Sequence, residues 1–177
     1  MSGEHVRRED REFLFGGDDR LARVVVVGGG MGGLTAALSA LARGIRVTLV
    51  EKADTLGGSA ALANGMRVTY ADFDVMRSEA RGGNERLQEL VHSALPTAAA
   101  WLAGLGVELR PVLELMGRYS GWSFSPGQFI GLAAAEIARR GGTVLTATSM
   151  DGLVVENGAV KGVEAVGAAR GRINIFR

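Results

Sequence analysis

The chain has 177 residues, 47% of them hydrophobic, with 20 Lys and Arg against 19 Asp and Glu and a formal net charge of +1. That length can bury one substantial core and suits a single domain, and so even a charge balance gives no field that favours nucleic acid or another polyanion. Zero cysteines exclude a disulfide framework, a thiolate metal site and a redox dithiol, and two histidines, His5 and His92, are too few and too far apart for a metal cluster.

Residues 1–20 carry Arg7-Arg8 and then Phe13-Leu14-Phe15, the outline of a twin-arginine export signal. Glu9, Asp10, Glu12, Asp18 and Asp19 break the apolar stretch that such a signal needs, so the segment reads as a flexible leader and the protein as cytoplasmic. No later window approaches the ~18 uninterrupted apolar residues of a membrane span. Val24-Val25-Val26-Val27, apolar at successive positions, predicts a strand buried on both faces, as in a parallel sheet. After a glycine run, Leu34, Ala37, Leu38 and Leu41 form one helical stripe that Gly44 ends, and Ile45–Val50 predicts a second strand. Strand, glycine turn, helix and strand make a βαβ unit. The 27 glycines of the chain, roughly twice ordinary usage, come without proline enrichment or a repeat, so they are local structural devices.

From Thr55 to Gly65 the pattern is a long loop with a short helical turn near Ala60–Ala63. Asn84 is positioned as an N-cap, followed by a stripe of Leu87, Leu90, Val91 and Ala94. Pro96 then opens a second helix, with Ala98, Trp101, Leu102 and Leu105 at helical spacing, which Gly106 ends. Ser125-Pro126-Gly127-Gln128 is a capping box with a first-turn proline, launching a helix whose stripe is Ile130, Ala133, Ala134 and Ile137 and which Gly141-Gly142 stops. Thr143–Thr148 predicts another strand. Asn157-Gly158 between Leu153-Val154-Val155 and Val160, Val163 and Val166 predicts a hairpin, with a third antiparallel strand at Ile173–Phe176.

Gly28, Gly30 and Gly33 satisfy the G-x-G-x-x-G spacing of a dinucleotide-binding turn: the first allows the tight turn, the second lets a pyrophosphate approach the backbone, and the third lets helix pack on strand. The helix that starts there directs its N–H groups and positive dipole end at phosphate. Glu51, at the end of the second strand, stands where an acid hydrogen-bonds a ribose 2′-hydroxyl, which disfavours a 2′-phosphate and hence NADP. Its neighbour Lys52 is counted with the binding residues, against the simpler reading of a solvated surface charge.

Val24–Lys52 resembles the dinucleotide-binding signature of the glutathione-reductase-like FAD proteins. Gly57-Gly58-Ser59-Ala60 resembles the second glycine segment of the fumarate reductase and succinate dehydrogenase flavoprotein superfamily, in particular its tricarballylate dehydrogenase and ketosteroid dehydrogenase branches. Trp101-Leu102 with Gly106-Val107, Thr148–Leu153 and Gly158–Val163 are similar to further landmarks in the same order. The fold class implied is α/β: a Rossmann-like FAD/NAD(P)-binding three-layer fold with a parallel sheet and a C-terminal antiparallel β-meander. Residues 21–177 then form the FAD-binding domain, incomplete at its C-terminal side and without the capping domain.

Carried over to this sequence, the resemblance places the pyrophosphate at Gly28, Gly30, Met31 and Gly33, the adenosine ribose at Glu51, the pyrophosphate and flavin along Gly57, Gly58, Ser59 and Ala60, and the adenine at the backbone of Met150, whose side chain is equally compatible with ordinary core. Relatives that attach flavin covalently use a histidine beside the second glycine segment. None lies between Glu51 and Ala63, so the FAD is expected to be noncovalent. The expected activity is hydride transfer between flavin and a small-molecule substrate, with the C-terminal part of the protein or an electron-transfer protein as partner. Arg118, Tyr119 and Trp122 border the substrate side in relatives but also read as loop and packing residues, and His92 reads as a helix residue without a chemical role. No catalytic residue is assigned. One rival reading is a nucleotide-binding fragment without turnover of its own, poorly soluble because apolar faces and the edge at Ile173–Phe176 lack cover. Another is an NAD-binding dehydrogenase domain, which predicts a second regular βαβ half after Glu51.

Overall fold

The computed structural model describes residues 23–63, 65–115, 119–167 and 171–176. In chain order they form β1 (Arg23–Val27), α1 (Met31–Leu41), β2 (Arg46–Val50), a short 3-10 helix (Gly58–Leu62), β3 (Met66–Tyr70), α2 (Phe73–Glu79) and α3 (Glu85–Gly104). There follow β4 (Arg110–Leu115), β5 (Tyr119–Ser123), α4 (Pro126–Arg139), β6 (Thr143–Leu145), β7 (Thr148–Glu156), β8 (Ala159–Gly167) and β9 (Gly171–Phe176). They divide into two compact units, Met1–Gly58 with Ala134–Arg177 and Ser59–Ala133. The predicted leader, Arg118 and Asn64 lie outside the described residues.

In the first unit the four-valine strand forms and is parallel, as its sequence implies, but it is not buried on both faces: β1 stands at the edge of the described three-stranded sheet, Val26 is buried, and Val24 and Val27 are 36% and 49% exposed. β1 pairs in parallel with β2, Val24 opposite Val47 and Val27 opposite Val50, and β2 pairs in parallel with β6. Alternation along these strands divides their side chains between two layers. Leu34, Ala37, Leu38 and Leu41 of α1 are buried over the sheet, the stripe that the sequence predicts. On the other face Val50 and Leu145 pack with Val163, Ala165 and Ile175 of the meander, joined by Val25 and Ile173. Each fully buried Leu or Ile in these layers contributes about 1.5–3 kcal/mol. The expected three-layer α/β arrangement, parallel sheet and antiparallel meander are therefore all present.

The meander has the order β7-β8-β9. Asn157 and Gly158 both have positive φ, 51° and 74°, the backbone of a type I′ turn, so the hairpin follows the twist of its strands. The strand expected over Thr143–Thr148 instead ends at Leu145. Ala147 takes φ 46°, and the chain leaves the parallel sheet there to enter the meander at Thr148. Ile175 is fully buried, so the last strand contributes to the core of its own unit.

The second unit departs further from expectation. Its sheet, ordered β3-β5-β4 and antiparallel, is not among the expected elements, although Met66-Arg67-Val68-Thr69-Tyr70 alternates apolar and polar residues with the period of a strand. Pro111 and Gly121 interrupt that pattern in β4 and β5, and Pro111 is tolerated because β4 is an edge of this sheet. α2 was also not foreseen; Asp72 caps it, accepting from the N–H groups of Asp74 and Val75. The two helices expected on either side of Pro96 are one 20-residue helix, α3. A proline in a helix removes one hydrogen bond to the carbonyl four residues back. Here the ring lies on the exposed side, and the alanines that follow favour helix strongly enough to carry it through. The stripe of Leu87, Leu90 and Val91 is 59%, 58% and 55% exposed, so helical spacing there identifies a face but not a buried one. The capping box is half formed: Ser125 Oγ accepts from Gln128 N–H, while the Gln128 side chain accepts from Glu108 N–H instead of reaching back.

Candidate dinucleotide site

The glycine turn between β1 and α1 needs its glycines for different reasons. Gly28 has φ +99°, a backbone that side-chain-bearing residues rarely adopt, and its N–H donates to Val50 O at 2.7 Å, extending the β1–β2 ladder into the turn. A Cβ on Gly33 would sit 1.8 Å from Gly28 O, so strand and helix can approach this closely only with glycine at 33. Gly30 is different. A Cβ there would meet nothing closer than Gly57 O at 3.8 Å, so the protein itself has room for a side chain. That room adjoins the amino end of α1, where Gly30 is the N-cap, no side chain caps the helix and no acidic residue stands in the first turn. A helix end with no side-chain cap and no first-turn acid, beside clear space, fits a phosphate group, and a diphosphate needs a longer stretch of such backbone.

The second glycine segment supplies that stretch. Gly57 N–H donates to Gly29 O at 2.9 Å, and Gly30 and Gly57 form an isolated parallel bridge. The two glycine segments are thus held together through main chain, with no side chain between Gly30 and Gly57–Gly58. Met31 begins α1. Ser59 and Ala60 belong to the 3-10 helix from Gly58 to Leu62 and are counted with the second unit.

Glu51 is the fixed point of the site. Its backbone N–H donates to Leu145 O at 2.8 Å and its carbonyl accepts from Thr148 N–H at 2.9 Å, so β6 and the start of β7 bracket it. The side chain is only 7% exposed, with Oε2 accepting from Gly29 N–H at 2.6 Å and Oε1 from Ala53 N–H at 2.8 Å. These bonds favour the charged form. The Ala53 N–H is the largest influence holding the Glu51 carboxyl below the usual carboxylate range, the Gly29 N–H and the charge of Lys52 add to it, and burial opposes it. Each oxygen keeps a lone pair beyond the one it uses, so the carboxylate can still accept from a vicinal diol. The sequence-predicted acid and glycine loop are therefore brought into direct contact. Lys52, beside them in sequence, is exposed. Met150 lies on β7 opposite Ala165, two residues beyond the Thr148 that touches Glu51.

In the second unit, the Tyr119 ring lies 4.9 Å from that of Tyr70, tilted by 57°, and the side-chain hydrogen bond between the two phenols is the main influence raising the Tyr70 phenol to about 12. Trp122 is half-buried on β5. The His92 ring lies 5.3 Å from that of Phe73, tilted by 46°. Gly29 and Ala53 hold the Glu51 carboxylate without being candidates from the sequence, and Thr148, the first residue of a family landmark, donates to the Glu51 carbonyl. The run of three glycines at 28–30 was a signal for the first, whereas nothing in the sequence says which main-chain amides a carboxylate will choose. Among the described residues no cluster of three or more His, Cys, Asp or Glu could hold a metal, and no helix is long and apolar enough to cross a membrane.

Residues 23–176 match the family model of FAD dependent oxidoreductases. The chain belongs to this family. Within it, this flavoprotein is 30% identical over 178 residues to an NADH:fumarate oxidoreductase of Klebsiella pneumoniae, an alignment covering 85% of this chain and 19% of the relative. It is 30% identical over 105 residues to a fumarate reductase (cytochrome) of Shewanella frigidimarina, covering 50% and 18%. The structure of an open flavocytochrome c3 fumarate reductase superposes with a TM-score of 0.73 at 22% identity, covering 98% of this chain and 35% of the other. A 3-ketosteroid-Δ4-(5α)-dehydrogenase from Rhodococcus jostii RHA1 superposes with 0.71 at 16% identity, covering 89% and 44%. The chain spans about a fifth of the length of these two curated relatives.

Proposed function

We propose that this flavoprotein binds FAD noncovalently, with the diphosphate at the amino end of α1 between Gly28–Gly33 and Gly57–Gly58 and the adenosine ribose hydroxyls on Glu51. The observation that carries the reading is the buried Glu51 carboxylate fastened to Gly29 N–H, because it puts the acid and the uncapped helix end within one contact of each other. The remaining assignments follow the same line: Ser59 and Ala60 along the path toward the flavin, Met150 backbone near the adenine, Lys52 at the rim of the ribose, and residues 21–177 as part of an FAD-binding domain. Bound flavin supplies hydride transfer at N5, and the substrate class that fits the family is a small molecule with a C–C bond activated by a carboxylate or a ketone, as in dicarboxylates and ketosteroids. What the residues of this chain contribute is binding and orientation: the helix end holds charge without a lysine, and the carboxylate selects a free ribose over a 2′-phosphorylated one.

The test is a flavin titration. FAD should quench on binding to the chain while FMN, which lacks the adenosine, binds far more weakly, and Glu51→Ala should cost FAD roughly tenfold or more in affinity. Equal affinity of the wild type and the alanine variant would remove the basis of the assignment. Denaturing and precipitating the loaded protein should leave all flavin in the supernatant; flavin carried down with the polypeptide would contradict noncovalent attachment.

A further inference from the structure

The G-x-G-x-x-G spacing leaves position 29 open to any residue, and the backbone agrees, since Gly29 does not have the positive φ of Gly28. Space does not agree. A Cβ on Gly29 would lie 2.4 Å from Leu56 Cδ2 and 3.2 Å from Glu51 Oε2. Two side chains from the far end of β2 and its following loop therefore converge on the one point that a side chain at 29 would fill. One of them is the acid that grips Gly29 N–H at 2.6 Å. The other directly precedes Gly57, whose N–H is bonded to Gly29 O. Gly29 is consequently held on both its N–H and its carbonyl by the 51–57 segment, with Leu56, itself half-buried, closing over it.

Resting on the flavin reading above, we propose that Leu56 is a positioning residue for the dinucleotide site, and that Gly29 is glycine to receive it. The Leu56 side chain seats on the bare backbone of residue 29, walls the Glu51 carboxylate on one side and fixes the Gly57–Gly58 segment against the helix end, so the two glycine segments are joined before a ligand arrives. A dinucleotide then meets a formed cradle and does not have to order the 51–58 loop itself, which lowers the entropy lost on binding. The geometry also makes the pair reciprocal in volume. A methyl at 29 would push the Leu56 Cδ2 end out of its seat, and removing the Leu56 methyls makes room for that methyl.

Reciprocity gives a test that a general packing role would fail. Leu56→Ala is expected to weaken FAD binding roughly tenfold, and Gly29→Ala more than that, because its methyl unseats Leu56 and presses on the Glu51 carboxylate. Combining them as G29A/L56A should bind FAD more tightly than G29A alone, as measured by flavin fluorescence. Thermal midpoints without flavin should follow the same order, lowest for G29A and partly restored in the double variant. Gly29→Ala behaving as wild type in both measurements, or the double variant being worse than G29A in both, would overturn the proposal. If the wild-type chain shows no affinity for FAD, the flavin reading falls, while the ligand-free midpoints still decide whether Leu56 and Gly29 form the interlock.

Discussion

The two units of the molecule are built on opposite rules. Met1–Gly58 with Ala134–Arg177 is layered: a parallel sheet buried on one side by α1 and on the other by the meander, so that Leu34, Leu49, Val50, Ile137 and Ile175 are fully buried. In Ser59–Ala133, Phe129 holds that position among the largest buried side chains, packed 6.2 Å from Trp101, while Leu87, Leu90 and Val91 of the long helix face outward. The difference shows where the fold concentrates its rigidity. The glycine loop and Glu51 belong to the layered unit, in which each neighbouring backbone is fixed by a ladder or a packed stripe, and a binding site read through main-chain atoms requires such a support.

Substitutions can sharpen or break that contrast. The largest effect is expected for Gly33→Ala, whose methyl meets a backbone oxygen at 1.8 Å that nothing flexible can yield, and a loss of about 4 kcal/mol in chemical denaturation would place it in the exceptional range for single changes. Next, Leu34→Ala should cost about 3 kcal/mol through its cavity, while Leu90→Ala on the exposed stripe should stay within about 0.5 kcal/mol, both read from urea midpoints. Comparable losses at the two leucines would mean that the face of α3 is covered, and the contrast would be gone.

A smaller change, about 1–2 kcal/mol in FAD affinity, is expected of Glu51→Gln, which keeps the shape but weakens the charge-assisted bonds to Gly29 and Ala53. The same carboxylate sets a pH response. Its folded-state pKa is depressed below 4.5, so its contribution is fully present above that pH and is lost as pH falls through the lower folded value. FAD affinity should therefore hold level from neutrality down to about pH 4.5 and decline only below it, and titrations of the Gln variant should lack that decline. Smallest of all, Pro96→Ala should raise the stability of the second unit by up to about 1 kcal/mol by restoring one helical hydrogen bond, visible as a higher thermal midpoint.

Legibility divides along the same line. Val24–Val27, the Leu34/Ala37/Leu38/Leu41 stripe, Ile45–Val50 and the Asn157-Gly158 turn are readable because β-branched runs, a helical stripe or a positive φ leave a one-dimensional mark in composition, although the valine run overstates its burial, Val24 and Val27 being exposed. β4 and β5 are not, since Pro111 and Gly121 erase their alternation, whereas the alternation of Met66-Arg67-Val68-Thr69-Tyr70 and the Asp72 cap with Phe73 and Met76 behind it are local signals of β3 and α2 that the sequence does carry. At the site, the identities Gly28, Gly30, Gly33 and Glu51 were legible as spacing. That Glu51 would fasten on Gly29 N–H, and that Gly29 would be closed by Leu56, depends on the path of the 51–57 loop, which no local pattern encodes.

The space beside Gly30 carries a consequence for how such a site can change over time. Because the protein itself tolerates a methyl there, an alanine would leave folding intact and obstruct only an incoming ligand. A population of sequences that had lost the ligand would be free to drift at this codon while Gly28 and Gly33 stayed fixed. Retention of glycine at position 30 across descendants would therefore be a record of selection for occupancy, kept separately from the record of selection for shape.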